Sequence, residues 1–223
     1  MLTVNVQIKH YSITDAHKLI EARGNRVMAT LLYQGHGSLR LTTDSGRVIY
    51  IDPFAGEGYD APADLILVTH QHHDHNCTDL PAKNPSCVIW QNFDALKDGV
   101  YQTIKLDFTT VEAVQAYNHH HKKSECVGYI VTVDGVSVYF AGDTGETEQM
   151  SHLEERNLDY AVLPMDFTYT MDVPETIRCT KLIAAKHTIP VHMSPGKLFD
   201  MDRAKKLAVP GALIVKPGES IRL

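Results

Sequence analysis

An α/β domain of two sheets with helices on the outside is the fold class this sequence predicts, on three observations. The first half is a succession of short β-branched and aromatic runs separated by turn residues. The second half alternates such runs with segments of helical periodicity, and one run, residues 65–68, is apolar at every position. Hairpin-linked strands followed by strand–helix alternation suit a layered α/β architecture, and an uninterrupted apolar run belongs to a strand covered on both faces.

The elements follow in order. Strands are expected at 27–35, 38–43 and 47–52, with the short Asp44-Ser45-Gly46 turn joining the last two. Residues 52–64 (DPFAGEGYDAPAD) carry turn chemistry and lead into the strand at 65–70. A short strand at 87–90, a helical stretch at 92–98 and a strand at 109–116 come next. Residues 127–143 form a hairpin of two β-branched runs across Asp134-Gly135. A helix is expected at 146–156, a strand at 160–165, and a helix at 173–186 with Pro174 in its first turn. A strand at 188–193 and a short helix at 200–207 complete the pattern.

Composition bounds the function. The 223 residues suit one mid-sized domain, 1–223, with no repeat or Pro/Gly-rich linker to divide it. A hydrophobic fraction of 43% and a net charge of −6 describe an ordinary globular chain and argue against a protein that coats nucleic acid. The four cysteines, at 77, 87, 126 and 179, form no C-x-x-C pair and are expected as reduced, packed thiols. The N-terminal stretch lacks the apolar core of a signal peptide, and no run nears the ~18 apolar residues of a membrane span, so the expectation is a cytoplasmic protein without a membrane partner. Residues 1–26 are expected either to pack on the core or to pair with a neighbouring copy, and a homo-oligomer stays open.

The outlying feature is histidine. Residues 70–75 (HQHHDH) place four histidines and an aspartate directly after the buried strand. Strand ends facing a cleft are where α/β proteins put ligands and catalytic groups. Imidazoles with a carboxylate suit a borderline divalent metal. Groups so close in sequence supply halves of two adjacent sites without completing either, so further ligands are required from elsewhere.

The segment THQHHDH resembles the H-x-H-x-D-H signature of the metallo-β-lactamase superfamily. Further matches occur in the family's order: GHGS at 35–38, IDPF at 51–54, AYN at 116–118, GY at 128–129, YFAGDTG at 139–145, and IPVHM at 189–193. The likeness is greatest to the branch of small bacterial metal-dependent hydrolases that includes L-ascorbate-6-phosphate lactonase-like proteins. It implies a four-layered αβ/βα sandwich with two divalent ions in the cleft between two sheets, zinc first in expectation and manganese or iron as alternatives. By this resemblance His70 and His72 ligate the first metal, Asp74 and His75 the second, Asp143 bridges both, and His192 completes the second. Asp143 also ends an apolar strand, where an unpartnered charge would be costly. The third histidine of the first metal is His121 by its register before Gly128-Tyr129, with His119 and then His120 as alternatives. Asn118 stands where some branches carry that histidine.

Asp52 and Thr144 resemble groups that orient imidazoles and the bridging carboxylate. His36 is expected either to line the cleft or to close a hairpin, Tyr169 to form a cleft wall and donate to a substrate oxygen, and Cys77 to be a packed small residue. The activity implied is hydrolysis of a small-molecule ester, lactone or phosphoester by a metal-activated water, with Asp74 as ligand and base and Tyr169 as donor. A phosphodiesterase or nuclease is the alternative, disfavoured by the absence of a basic run. A catalytically silent metal-binding sensor is the other.

Overall fold

The structure, a computed structural model, describes residues 28–223. The two expectations for residues 1–26 lie outside the described residues, as does Val27 of the first expected strand. Strand alternation explains the layering. In β4 (Ala63–Val68), Leu65 and Leu67 face one core while Ile66 and Val68 face another, so the run is apolar throughout because both faces are covered.

Five more strands join β4 in the first sheet: β1 (Thr30–Gly35), β2 (Ser38–Thr42), β3 (Val48–Ile51), β5 (Lys83–Gln91) and β14 (Ser220–Arg222), in the order β14-β1-β2-β3-β4-β5. β1, β2 and β3 pair antiparallel, and β3, β4 and β5 parallel. The second sheet has the order β13-β12-β11-β10-β9-β8, from β8 (Thr103–Leu106), β9 (Thr109–Gln115), β10 (Val127–Val133), β11 (Val136–Phe140), β12 (Tyr160–Pro164) and β13 (His187–Val191). Its strands β8 to β11 are antiparallel and β11 to β13 parallel. A two-stranded ribbon, β6 (Leu96–Lys97) with β7 (Val100–Tyr101), stands apart from both sheets.

The main core fills the space between the two sheets, with Leu31, Tyr33, Ile49 and Leu67 on one side and Val111, Tyr129, Phe140 and Val162 on the other. The outer face of the second sheet is covered by the helix α2 (Val173–Ile183), whose Cys179 and Ile183 pack with Tyr139 and Leu163. Asp172 caps α2 by accepting the Glu175 N–H at 2.7 Å. On the first sheet the outer cover among the described residues is the loop carrying Tyr59 and Ala61, not a helix. This is the layered αβ/βα arrangement, with a thin outer layer on one side. Two single-turn helices, α1 (Asn92–Ala95) and α3 (Met201–Ala204), sit between strands. No helix among the described residues is long and apolar enough to cross a membrane.

Several expected boundaries move. Residues 146–156 form two 3₁₀ segments, Glu148–His152 and Glu154–Arg156, in place of an α-helix. The buried apolar residues there, Met150 and Leu153, are three apart, which matches three residues per turn. The helix begun at Asn92 stops at Ala95 because Asp98 (φ 52°) and Gly99 (φ 78°) turn the chain into the β6–β7 ribbon. The expected strand at 87–90 is longer, since Lys83 already pairs with Ala63. α2 ends at Ile183, where Ala184 adopts φ 51° and directs the chain into β13.

The sheets are also tied across the core. The fully buried Tyr129 hydroxyl of the second sheet donates to the Val68 carbonyl of the first at 2.8 Å. Replacing Tyr129 by Phe removes that donor at little change in volume. The expected result is a loss of about 1 kcal/mol of unfolding free energy, read as a lower urea midpoint with an unchanged slope.

Candidate metal centre

Strand direction decides where the functional side chains gather. By the pairings above, β1, β3, β4 and β5 run the same way in one sheet, and β9, β11, β12 and β13 in the other. Residues beyond these strand ends supply the site: His36 after β1, Asp52 after β3, His70 to His75 after β4, and His121 after β9. Asp143 follows β11, Asp166 follows β12, and His192 follows β13. The two edges close on one another where Val127 N–H donates to the Thr69 carbonyl at 3.0 Å. Gly142 (φ 65°) permits this approach, since a Cβ there would lie 2.9 Å from the Thr69 Cβ. Gly37 does the same on the other flank, where a Cβ would meet the His75 ring at 2.9 Å.

Three groups of donor atoms result, each with its atoms within 4.8 Å of one another: His70, His72 and His121; His70, His75 and Asp143; and His36, Asp74, His75 and His192. Asp143 lies between the groups, 3.4 Å from His75 Nε2, 3.5 Å from His121 Nε2 and 3.3 Å from His192 Nε2. Four of these imidazoles are buried with no hydrogen-bond partner for Nε2: His70, His75, His121 and His192. A buried polar atom without a partner costs stability. Four such atoms aimed at one space, beside two carboxylates, suit divalent cations. The residues present therefore fit the group that the resemblance implies.

The opposite nitrogen is hydrogen-bonded in three of the four rings, His70, His75 and His121, which fixes their tautomer. Thr69 Oγ1 gives its own proton to Asp52 at 2.7 Å, so toward His70 Nδ1, 3.1 Å away, it accepts. His75 Nδ1 donates to Asp52 Oδ2 at 2.8 Å. His121 Nδ1 donates to Asn118 Oδ1 at 3.0 Å, while the Asn118 amide group donates to the Tyr169 carbonyl. His192 Nδ1 lies 3.2 Å from Asp166 Oδ2. With Nδ1 carrying the proton, the neutral rings of His70, His75 and His121 present the Nε2 lone pair inward, as metal ligation requires.

Charge reinforces the geometry. Burial holds His70 well below the usual histidine range and lowers His121 to about 4, with neighbouring imidazoles adding to burial in both cases. Burial also opposes protonation of His75 and His192, but Asp143, with Asp52 for His75 and Asp166 for His192, outweighs it and raises both. Asp143 and Asp74 are lowered despite burial, Asp143 chiefly by His75 and His192 and Asp74 chiefly by His36 and His75. In the cation-free protein, protons on His75 and His192 thus occupy the place of positive charge.

The structure sorts the sequence expectations. His70, His72, Asp74, His75, His121, Asp143 and His192 are brought together; His121 is buried, while His119 and His120 are exposed. Asp52 holds the His75 ring as expected. The Thr144 hydroxyl makes no hydrogen bond to an imidazole or to the Asp143 carboxylate; it donates toward the Tyr117 and Gly145 carbonyls and so fixes the turn leading to His121. His36 lines the cleft, with Nε2 3.0 Å from Asp74 Oδ2. Tyr169 forms part of the cleft wall, and Cys77 is half-buried with its thiol 3.5 Å from the His73 carbonyl. Asp166 was not anticipated. Its Oδ1 accepts the N–H groups of Thr168, Tyr169 and Thr170 at 2.8–2.9 Å, leaving Oδ2 toward His192. The signal was present: like Asp52 and Asp143, it is a carboxylate just beyond an apolar strand. The donor atoms open into a cavity of about 700 Å³.

Comparison with known proteins agrees with this geometry. Residues 30–192 match the family described as "Beta-lactamase superfamily domain". A protein of Geobacillus sp. strain WCH70, named a UPF0173 metal-dependent hydrolase, is 30% identical over 86% of this chain and 98% of its own. A crystal structure from Parabacteroides distasonis, named a metal-dependent hydrolase, superposes with a TM-score of 0.72 at 30% identity, covering 83% of this chain and 92% of that one. A Thermotoga maritima structure, named a zinc-dependent hydrolase of the metallo-β-lactamase superfamily, superposes with a TM-score of 0.61 at 20% identity over 84% of this chain and 98% of that one, a likeness of fold.

Asp166→Asn keeps the size of the side chain and removes the charge beside His192. Divalent-cation affinity, measured by competition with a chromophoric chelator, is expected to fall by about 10–100-fold. The pH dependence follows from the shifts. His75 and His192 are raised and must lose their protons to ligate, so cation affinity weakens as pH falls and cation uptake releases protons. Between about pH 8 and pH 6, titration in weak buffer should show that release; constant affinity with no proton release would contradict protonation of His75 and His192 before the cation binds.

Proposed function

This chain belongs to the metallo-β-lactamase superfamily, in its branch of small metal-dependent hydrolases, and on that premise we propose that it hydrolyses a small-molecule ester, lactone or phosphoester at a dinuclear centre. In this reading His70, His72 and His121 hold one cation, Asp74, His75 and His192 hold the other, and Asp143 reaches both. When bound, such cations supply Lewis acidity and lower the pKa of water in the cleft toward neutrality, zinc being the first candidate and manganese or iron the alternatives.

The chain's own groups do the rest. Asp74 would take up the proton of the attacking water, its carboxylate held at Oδ2 by His36 at 3.0 Å. His36 thereby keeps the Asp74 carboxylate turned to the cleft. Tyr169, on the cavity wall, would donate its hydroxyl proton to an oxygen of the substrate. Asp52, Asn118 and Asp166 hold three of the rings from behind, so little reorganisation is left for the reaction itself.

The observation that carries this reading is the set of four buried imidazoles whose Nε2 atoms have no partner and converge with Asp143. Cation-loaded protein should therefore hydrolyse members of a panel of lactones, carboxylic esters and phosphoesters, and lose that activity on chelation. Asp143→Asn should cut kcat/KM by more than about 100-fold together with cation content. A phosphodiester and a single-stranded RNA in the same panel report on the nuclease alternative. Full cation loading with no hydrolysis anywhere in the panel would favour a silent binding protein instead.

A further inference from the structure

We infer that the cleft accepts substrates with an apolar body, a hydrocarbon or aromatic acyl group attached to the reacting centre, and offers among the described residues no second grip for an anionic group such as a sugar phosphate. This rests on the hydrolase reading above and narrows its substrate class.

One side of the cavity wall is apolar and anchored. Phe54 and Leu198 line it with Ala55, Pro195 and Gly196, and they keep 36% and 48% exposure respectively. Single exposed apolar side chains are ordinary. These two differ in being anchored on the wall of a cavity that holds the donor cluster. The Phe54 N–H is shared between Ser38 Oγ and Tyr59 Oη, each at 3.1 Å. Its ring stands edge-on to His36 at 5.8 Å between centroids. The Leu198 carbonyl accepts from the His36 N–H at 2.7 Å and from the Tyr33 hydroxyl at 3.1 Å. Gly35, at φ 126°, lets the Leu198 segment approach, since a Cβ there would be 3.2 Å from the Leu198 Cβ. An anchored apolar wall beside a few convergent polar groups is how small-molecule pockets are built.

The charges of the lining agree. Imidazoles apart, the one cation among the described lining residues is Lys197. Its side chain is 63% exposed, and its Nζ lies 3.4 Å from Asp200 Oδ2. Asp200 is kept in place by the Ser194 hydroxyl at 2.8 Å and by accepting the Arg203 N–H at 3.0 Å, so the ammonium is already answered. The Arg203 guanidinium is turned away, donating to the Met165 and Asp166 carbonyls at 3.2 and 2.6 Å. Recognition of a phosphate would call for a free arginine or lysine, or a cradle of backbone N–H groups.

Straight-chain hydroxamates test this without turnover, because the head chelates the cations and the tail reads the wall. Calorimetry on the cation-loaded full chain should show affinity rising about fourfold per buried methylene, at least tenfold between acetohydroxamate and octanohydroxamate. Leu198→Ser and Phe54→Ser should each flatten that rise, with cation content as the check on an intact site. Equal affinity for both lengths overturns the inference. So does tighter binding of the chain ending in a carboxylate, suberic monohydroxamate. If no hydroxamate binds fully cation-loaded protein, the hydrolase reading beneath it falls, and the inference with it.

Discussion

Four buried imidazoles in this protein leave their Nε2 side without a partner, three of them hydrogen-bonded at Nδ1 and the fourth with Nδ1 facing Asp166, and much of the architecture around them exists to keep that so. Asp52 alone accepts from the Thr69 N–H, the Thr69 hydroxyl and His75 Nδ1. Asn118 accepts from His121 Nδ1, and Asp166 brings its Oδ2 to 3.2 Å from His192 Nδ1, from separate loops. A buried ring nitrogen without a hydrogen-bond partner is a cost to folding. Four of them directed at a shared space are tolerable only where a cation is the missing partner, which couples ligand uptake to the stability of the whole cleft.

The fold serves that arrangement through strand direction. Strands of both sheets deliver their ends to one rim, and the residues at the rim accept strain to point inward. His36, Asp52 and His192 all adopt positive φ, at 53°, 47° and 43°. His192 N–H donates to the His36 carbonyl at 2.9 Å, and their rings lie 3.8 Å apart. Non-glycine residues in that region cost of order 1–3 kcal/mol each and cluster at functional sites. The strain is thus concentrated where side chains must be aimed and is borne by two sheets that lock through Tyr129 and Val127.

How much of this was legible in the sequence follows from how local each feature is. The ligands of residues 70–75 share one short loop after an unmistakable buried strand, so residue type and spacing disclosed them. Asp143 and His192 end apolar strands, where a charge or imidazole has to be explained. Choosing His121 from three adjacent histidines required the resemblance, because the turn that buries it depends on Asn118 and on Thr144, which meets the chain at Tyr117 from another strand. Asp166 escaped notice because its partner is a histidine distant in sequence and its loop has no motif. The 3₁₀ segments near Met150 were mistaken for a helix since two apolar residues three apart fit either period.

The account stands on cations occupying the space among those bare nitrogens. A crystal structure of protein prepared with zinc, with diffraction recorded above and below the zinc absorption edge, tests this directly. The account predicts anomalous peaks about 2.0–2.1 Å from the Nε2 atoms of His70, His75, His121 and His192, with Asp143 in reach of more than one. A map with no anomalous signal there, and ordered waters hydrogen-bonded to those nitrogens instead, would contradict it.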